Sequence, residues 1–280
     1  MFPKCIIYIM SSNSDRVSYP SLNGKTAIVT GASKNLGRSI AVALGEVGMN
    51  VGISARTDVD GCERTVQAVE EAGGQAMYVL GDLGDPDDIE TIVDSVREEF
   101  GPIDALVNNA AIRPKRNFED ITLDDWQTVI DVNLRSAFLT AQHVVGDMRE
   151  SGSGAIVNVL GQMALQGRRN KAHVSATKSG LIGLTMTEAA ELGPDGIRAN
   201  GVVPGRKIKT ERDEDEREEL LGTFRKIEQA TPMRRRGEPA EIARAIRFLI
   251  SEDASYINGQ VINVDGGLNP VIDIENIGSE

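Results

Sequence analysis

The sequence predicts an α/β protein: one doubly wound, seven-stranded parallel sheet of Rossmann type. Three observations carry this. Short apolar runs alternate with amphipathic helical stretches along the 280 residues, the pattern of a parallel sheet covered on both faces. The first apolar run ends in a glycine turn that opens a helix, as dinucleotide-binding units do. No linker or internal repeat breaks the alternation, so one domain is expected.

The elements follow in order. "KTAIVTG" (25–31) reads as a buried strand ending in a turn. "NLGRSIAVALGEVG" (35–48) places Leu36, Ile40, Ala43, Leu44 and Val47 at helical spacing. "NVGIS" (50–54) is the second strand, and "CERTVQAVEEAGG" (62–74) is a helix closed by glycines. Strand "AMYVLGD" (76–82) leads to helix 85–101, whose acidic start and Pro86 suit a helix N-terminus. Strand "DALVNNA" (104–110), a long helix over 122–148 and strand "GAIVNVL" (154–160) come next. A helix around Lys178 precedes strand "IRANGVV" (197–203), a polar helix near 211–229 follows, and helix 239–254 with strand 260–266 closes the domain. The domain is expected over 22–268, with a small substrate lobe near 205–230. Residues 1–21 read as a flexible leader in which either Met1 or Met10 is the natural start, and 269–280 as a tail.

Composition narrows the function. The chain is 40% hydrophobic and 26% charged, with net charge −12, which argues against nucleic acid or an anionic membrane as partner. No apolar run approaches the roughly 20 residues that span a bilayer. Cys5 and Cys62 fit neither a metal spacing nor a disulfide framework, and the only two histidines are His143 and His173. A reduced, cytoplasmic protein without a metal is the expectation, with a small molecule as substrate.

"TGASKNLG" (30–37) joins the first strand to the first helix. A tight turn there lets backbone N–H groups and the helix start face a pyrophosphate. Gly31 and Gly37 are in place, and Asn35 stands between them. Asn is the residue after glycine that best tolerates a left-handed backbone.

These residues resemble the T-G-x-x-x-G-x-G fingerprint of the short-chain dehydrogenase/reductase family, and the chain resembles its 3-oxoacyl-carrier-protein-reductase-like members. The resemblance covers about 22–268. "GDL" (81–83), "NNAA" (108–111), Asn133 in "DVNLRS", "VPGRKIKT" (203–210, one residue longer than P-G-x-I-x-T) and "YINGQVINVDGG" (256–267) match in order. It implies an NAD(P)-dependent oxidoreductase acting on a carbonyl or alcohol, assembled as a homodimer or homotetramer through helices 122–148 and 170–192. The implied cofactor residues are Gly31, Ser33, Lys34, Asn35, Leu36, Gly37, Arg56, Asp82, Leu83, Asn109, Ala110, Lys178, Pro204, Gly205, Ile208 and Thr210.

An acidic residue closing the second strand selects NAD. Ala55 stands there, followed by Arg56, with Lys34 in the glycine loop. Two cations near one 2′-phosphate favour NADP(H); the plainer reading is that both are surface charges.

The family's proton chemistry uses a serine, a tyrosine and a lysine four residues on. Lys178 matches, but the serine position is Gly161 and the tyrosine position Val174. A positioned acid contributes about 10²–10⁴-fold and an oxyanion donor about 10²–10³-fold, so their loss matters. Candidates to act in their place are Lys178 through a water held by Asn133, Gln162 beside Gly161, and Asn170 or Lys171 one turn before Val174. His173 and Ser175 point to other faces of the helix. Arg168 and Arg169 would bind an anionic substrate or lie on a solvated loop. The acidic run 209–220 reads as a solvated face; over the pocket, it would favour a cationic substrate. A non-redox enzyme on the same frame and a cofactor-binding pseudoenzyme stay open as alternatives.

Overall fold

The computed structural model describes residues 19–206, 208–210 and 217–269. Cys5, Met1, Met10, Lys207, the acidic run's 211–216 and the tail from 270 lie outside them. Seven parallel strands form one sheet in the order β3-β2-β1-β4-β5-β6-β7. They are β1 (Thr26–Val29), β2 (Asn50–Ala55), β3 (Gln75–Leu80), β4 (Ala105–Asn108), β5 (Gly154–Val159), β6 (Ile197–Pro204) and β7 (Val261–Val264). The central strands β1, β4 and β5 are buried at every residue, because helices cover both faces. The strand order reverses between β1 and β4. In open α/β sheets the crevice beyond the carboxyl ends at that point receives the ligand.

The helices are α1 (Asn35–Gly45), α2 (Val59–Ala72), α3 (Pro86–Phe100), α4 (Leu123–Ile130), α5 (Ser136–Ser151), α6 (Ala172–Leu192), α7 (Arg217–Ala230) and α8 (Pro239–Ile250). Helix α1 packs on α2 and α8 on one face of the sheet; α3, α5 and α6 cover the other. Three expectations need correction. Helix α2 starts at Val59, not 62, because Asp58 caps it by accepting from Gly61 N at 3.1 Å. The long helix over 122–148 is interrupted by a π turn, Asp131–Arg135, that carries Asn133. Tyr19–Ser21, read as leader, already belong to the domain. Pro20–Leu22 form a 3₁₀ turn, Leu22 is buried, and Arg247 lies over the Tyr19 ring at 5.6 Å.

Behind the crevice runs a buried polar line. Asn108 Nδ2 donates to Asn158 Oδ1 at 2.9 Å, and Asn158 Nδ2 donates to Glu188 Oε2 at 2.8 Å and Thr185 Oγ1 at 3.0 Å. Burial pushes the Glu188 carboxyl up from 4.5 to about 7, although the Asn158 bond pulls it down. The folded chain thus holds a proton that the unfolded chain releases near pH 4.5. This contribution to stability is present below 4.5 and is lost as pH rises to about 7, amounting to roughly 3 kcal/mol. The melting midpoint is expected to fall across that window, and Glu188→Gln, which cannot ionise, is expected to flatten the fall. Melting curves at pH 5 and pH 8 for both proteins check this; parallel curves would contradict it.

Candidate active site

The β1–α1 turn is held from beneath. Thr30 Oγ1 accepts from Asn109 N at 3.0 Å and Ala110 N at 3.1 Å, while Asn109 Nδ2 donates to Thr30 O and Gly31 O. Gly31 has φ +65, and a Cβ there would stand 2.8 Å from Ala110 Cα. A Cβ on Gly37 would stand 2.4 Å from Gly31 O. Both positions therefore require glycine for close backbone approach. Asn35 has φ 50, so it adopts the left-handed conformation expected of a glycine substitute. Helix α1 begins at Asn35 with no side-chain cap bond from Lys34, and a helix N-terminus favours an anion.

Arg38, which the sequence reading passed over, clamps this turn. It donates to Ser33 O at 2.6 Å and to Thr65 Oγ1 at 3.0 Å on α2. Its position inside a helix gives no local sign of that reach.

The other expected cofactor residues also gather at carboxyl ends of strands. Arg56 follows β2, and Asp82–Leu83 follow β3. Leu83 is buried against Ile89 and Ile92, so only its backbone can face a ligand. Asp82 Oδ1 accepts from Gly84 N at 2.8 Å. Pro204 and Gly205 end β6, with Gly205 N donating to Val264 O. Ile208 packs on the core, and Thr210 follows in the same segment.

The two expected cations are not free. Lys34 Nζ is 3.5 Å from Asp58 Oδ2, and Arg56 is 3.8 Å from Asp82 Oδ2. All four side chains are a third or more exposed, so these pairs are weak and salt-sensitive. Asp58 was missed by sequence reasoning; as a helix cap it reads as structural. A Ser33 hydrogen bond, with lesser help from Gly61 N–H and Lys34, keeps its carboxyl below the usual range against the effect of burial.

On the substrate side, Lys178 is 3% exposed and donates from Nζ to Val159 O at 2.7 Å. Burial, and secondarily the charge of Arg113, pull its ammonium down from 10.5 to about 7. Asn133 turns its amide to the backbone beyond β4. Its Oδ1 accepts from Ile112 N at 2.8 Å and its Nδ2 donates to Ile112 O at 3.0 Å. Its side chain is thereby committed to positioning the loop that carries Arg113.

Gly161 has φ 167 and ψ 162, extended backbone, and a Cβ there would meet nothing within 4 Å. Next to it, Gln162 Nε2 is buried with no acceptor. Val174 is fully buried, as is His173, whose two ring nitrogens both lack partners. Lys171, one turn before Val174, donates to the carbonyls of Arg113 and Pro114 and is depressed to about 8, chiefly by burial and then by Arg168, Lys115 and Arg113.

The arrangement offers an anion-binding turn, a buried low-pKa ammonium and an unpaired amide donor around one crevice. A family model described as enoyl-(acyl carrier protein) reductase matches residues 31–269. The chain is 35% identical over 247 residues to the 3-oxoacyl-(acyl-carrier-protein) reductase of Staphylococcus epidermidis, spanning 87% of this chain and 98% of that protein. It is 35% identical over 252 residues to glucose 1-dehydrogenase 2 of Bacillus subtilis, covering 89% and 96%. Among solved structures, a protein of Agrobacterium tumefaciens proposed to be a 2-deoxy-D-gluconate 3-dehydrogenase, with bound NADP, superposes with a TM-score of 0.79 at 35% identity. That match covers 88% of this chain and 97% of the other.

Proposed function

This chain belongs to the short-chain dehydrogenase/reductase family, and from that premise we propose an NADP(H)-dependent carbonyl reductase or alcohol dehydrogenase in which Lys178 handles the proton. The observation that carries the reading is Lys178 itself: buried, poised at about 7 and facing the end of β5. The chain's β1–α1 turn fits a dinucleotide, since Gly31 and Gly37 let the turn pack directly against Ala110 and the helix start, the tight strand–turn–helix that dinucleotide sites use. A bound nicotinamide would supply the hydride.

Lys178 gives its proton to the nascent alkoxide through one water, a distance over which general acids work. Gln162, with its unpaired Nε2 next to Gly161, polarises the carbonyl oxygen where a serine would otherwise stand. Asn133 holds the Ile112 backbone and so shapes the pocket wall. Exposed Leu123, Trp126, Phe138 and Met186 on α4, α5 and α6 support a homodimer or homotetramer through those helices. Among the described residues no helix is long and apolar enough to cross a membrane, and a cytoplasmic location fits the reading.

A spectrophotometric assay at 340 nm with NADPH and NADH, across ketones, quinones and 3-oxoacyl thioesters, tests the reading. Substrate-dependent NADPH loss is expected; no loss with any class would remove it. One observation favours a second reading, a nucleotide-binding protein without turnover: Gly161 has no side chain and Val174 no proton. Tight NADPH binding with no turnover would establish that alternative.

NADP(H) preference rests on Lys34 and Arg56 exchanging their carboxylates for the 2′-phosphate. Lys34→Ala and Arg56→Ala are each expected to weaken NADPH about tenfold and leave NADH unchanged. Asp58→Asn keeps the α2 cap, since Asn caps as well as Asp, and is expected to tighten NADPH. Fluorescence titrations with both nucleotides check this; equal losses for NADH would contradict it.

A further inference from the structure

Three loops border the substrate side of the crevice, after β4, β5 and β6, and each carries an arginine: Arg113, Arg168 and Arg206. Arg168 lies within electrostatic range of both Arg206 and Arg113, and Arg113 within range of Lys171 and Lys178. Lys171 ties the first two loops together through the Arg113 and Pro114 carbonyls. Among the described residues, none of Arg113, Arg168, Arg206 and Lys171 pairs with a carboxylate. Nearby Arg116 does, with Asp125 at 3.4 Å. A cavity of about 340 Å³ opens against the same loop, walled by Arg168, Arg169, Lys171, Asn117, Phe118 and, as its one carboxylate, Glu119.

On a chain of net charge −12, cations have carboxylates to choose from. Four held together without one repel each other, and the arrangement gains most when an anion arrives. Arginine forks match planar oxyanions in two-pronged geometry. We propose that the substrate of this site carries an oxyanion, carboxylate or phosphate, near its reactive carbonyl, and that Arg113, Arg168 and Arg206, with Lys171 positioning their loops, bind it. This rests on the oxidoreductase reading for where the reacting carbon lies. The acidic run 209–220, read as a solvated face that would favour a cationic substrate only if it lay over the pocket, has its residues 211–216 outside the described residues.

The test is calorimetric and does not need turnover. Acetoacetate and its methyl ester, and dihydroxyacetone phosphate and dihydroxyacetone, are titrated into the full-length protein saturated with NADP⁺. The charged member of at least one pair is expected to bind about tenfold tighter or better; which pair responds distinguishes carboxylate from phosphate. Arg168→Gln with Arg206→Gln is expected to erase that preference and leave NADP⁺ affinity intact, while Arg116→Gln keeps the preference. Both arginines are exposed loop residues, so the fold should survive, and retained NADP⁺ binding reports it. The proposal is overturned if neither charged ligand gains, if the gain survives the double variant, or if the double variant loses NADP⁺ by the same factor, since the cations then serve the nucleotide. If NADP⁺ itself does not bind, the cofactor reading fails, and the same ligands titrated into nucleotide-free protein still decide the anion site.

Discussion

Lys178→Ala is expected to lower kcat/KM for NADPH-dependent carbonyl reduction by about 10³-fold or more. In a site with a tyrosine, the lysine assists a phenol. Here Val174 has no ionisable group, so in the proposed mechanism the lysine is itself the acid and its loss removes the acid outright. The same change takes the donor from Val159 O, a buried carbonyl left unpaired at a cost of about 1–3 kcal/mol. Lys178→Arg separates these effects. It keeps a charged donor but cannot release its proton near neutrality, so it is expected to bind nucleotide while turning over about 10²-fold slower or worse. Steady-state kinetics with a parallel NADPH titration checks both variants. Unimpaired turnover in Lys178→Ala would place the proton elsewhere.

The second large effect is a gain. Gly161→Ser together with Val174→Tyr is expected to raise kcat by at least about 10²–10⁴-fold, the range for a positioned acid alone, with the oxygen-polarising serine adding to it. The two substitutions differ in difficulty. At Gly161 the backbone is extended and a Cβ meets nothing within 4 Å, so serine enters without strain. Val174 is fully buried, and the larger tyrosine must push its ring into the crevice. Overpacking of that kind costs about 1–3 kcal/mol, so the double variant is expected to melt lower while working faster. A faster enzyme shows a frame otherwise competent for the usual chemistry. A stable, nucleotide-binding double variant with no gain would mean that the crevice no longer presents the carbonyl to position 174.

Much of the fold was legible because its signals are local. Apolar strands, helical spacing and the β1–α1 turn each declare themselves within a dozen residues. Asn35 shows how far this goes: its tolerance of a left-handed backbone was readable from residue type, and the structure has φ 50 there. Features that depend on distant partners were not legible. The π turn at Asp131–Arg135 keeps nearly helical spacing, so periodicity passes through it. Asp58 reads as an ordinary cap, and only the folded turn brings it to Ser33 and Lys34. Arg113 and Arg206 sit beside recognisable motifs, but their grouping with Arg168 at the ends of neighbouring strands exists only once β4, β5 and β6 are paired. The empty space at Gly161 and the unpaired Gln162 amide likewise belong to packing, which no spacing rule encodes.

Whether Lys178 carries the proton is decided most directly by the pH dependence of kcat in the reduction direction. The ammonium is the active form, and burial together with Arg113 holds its pKa near 7. The rate is therefore expected to be level below that value and to fall about tenfold per pH unit above it, with this limb absent from Lys178→Arg. A profile that stays level to pH 9, or a falling limb that persists unchanged in Lys178→Arg, would contradict the account.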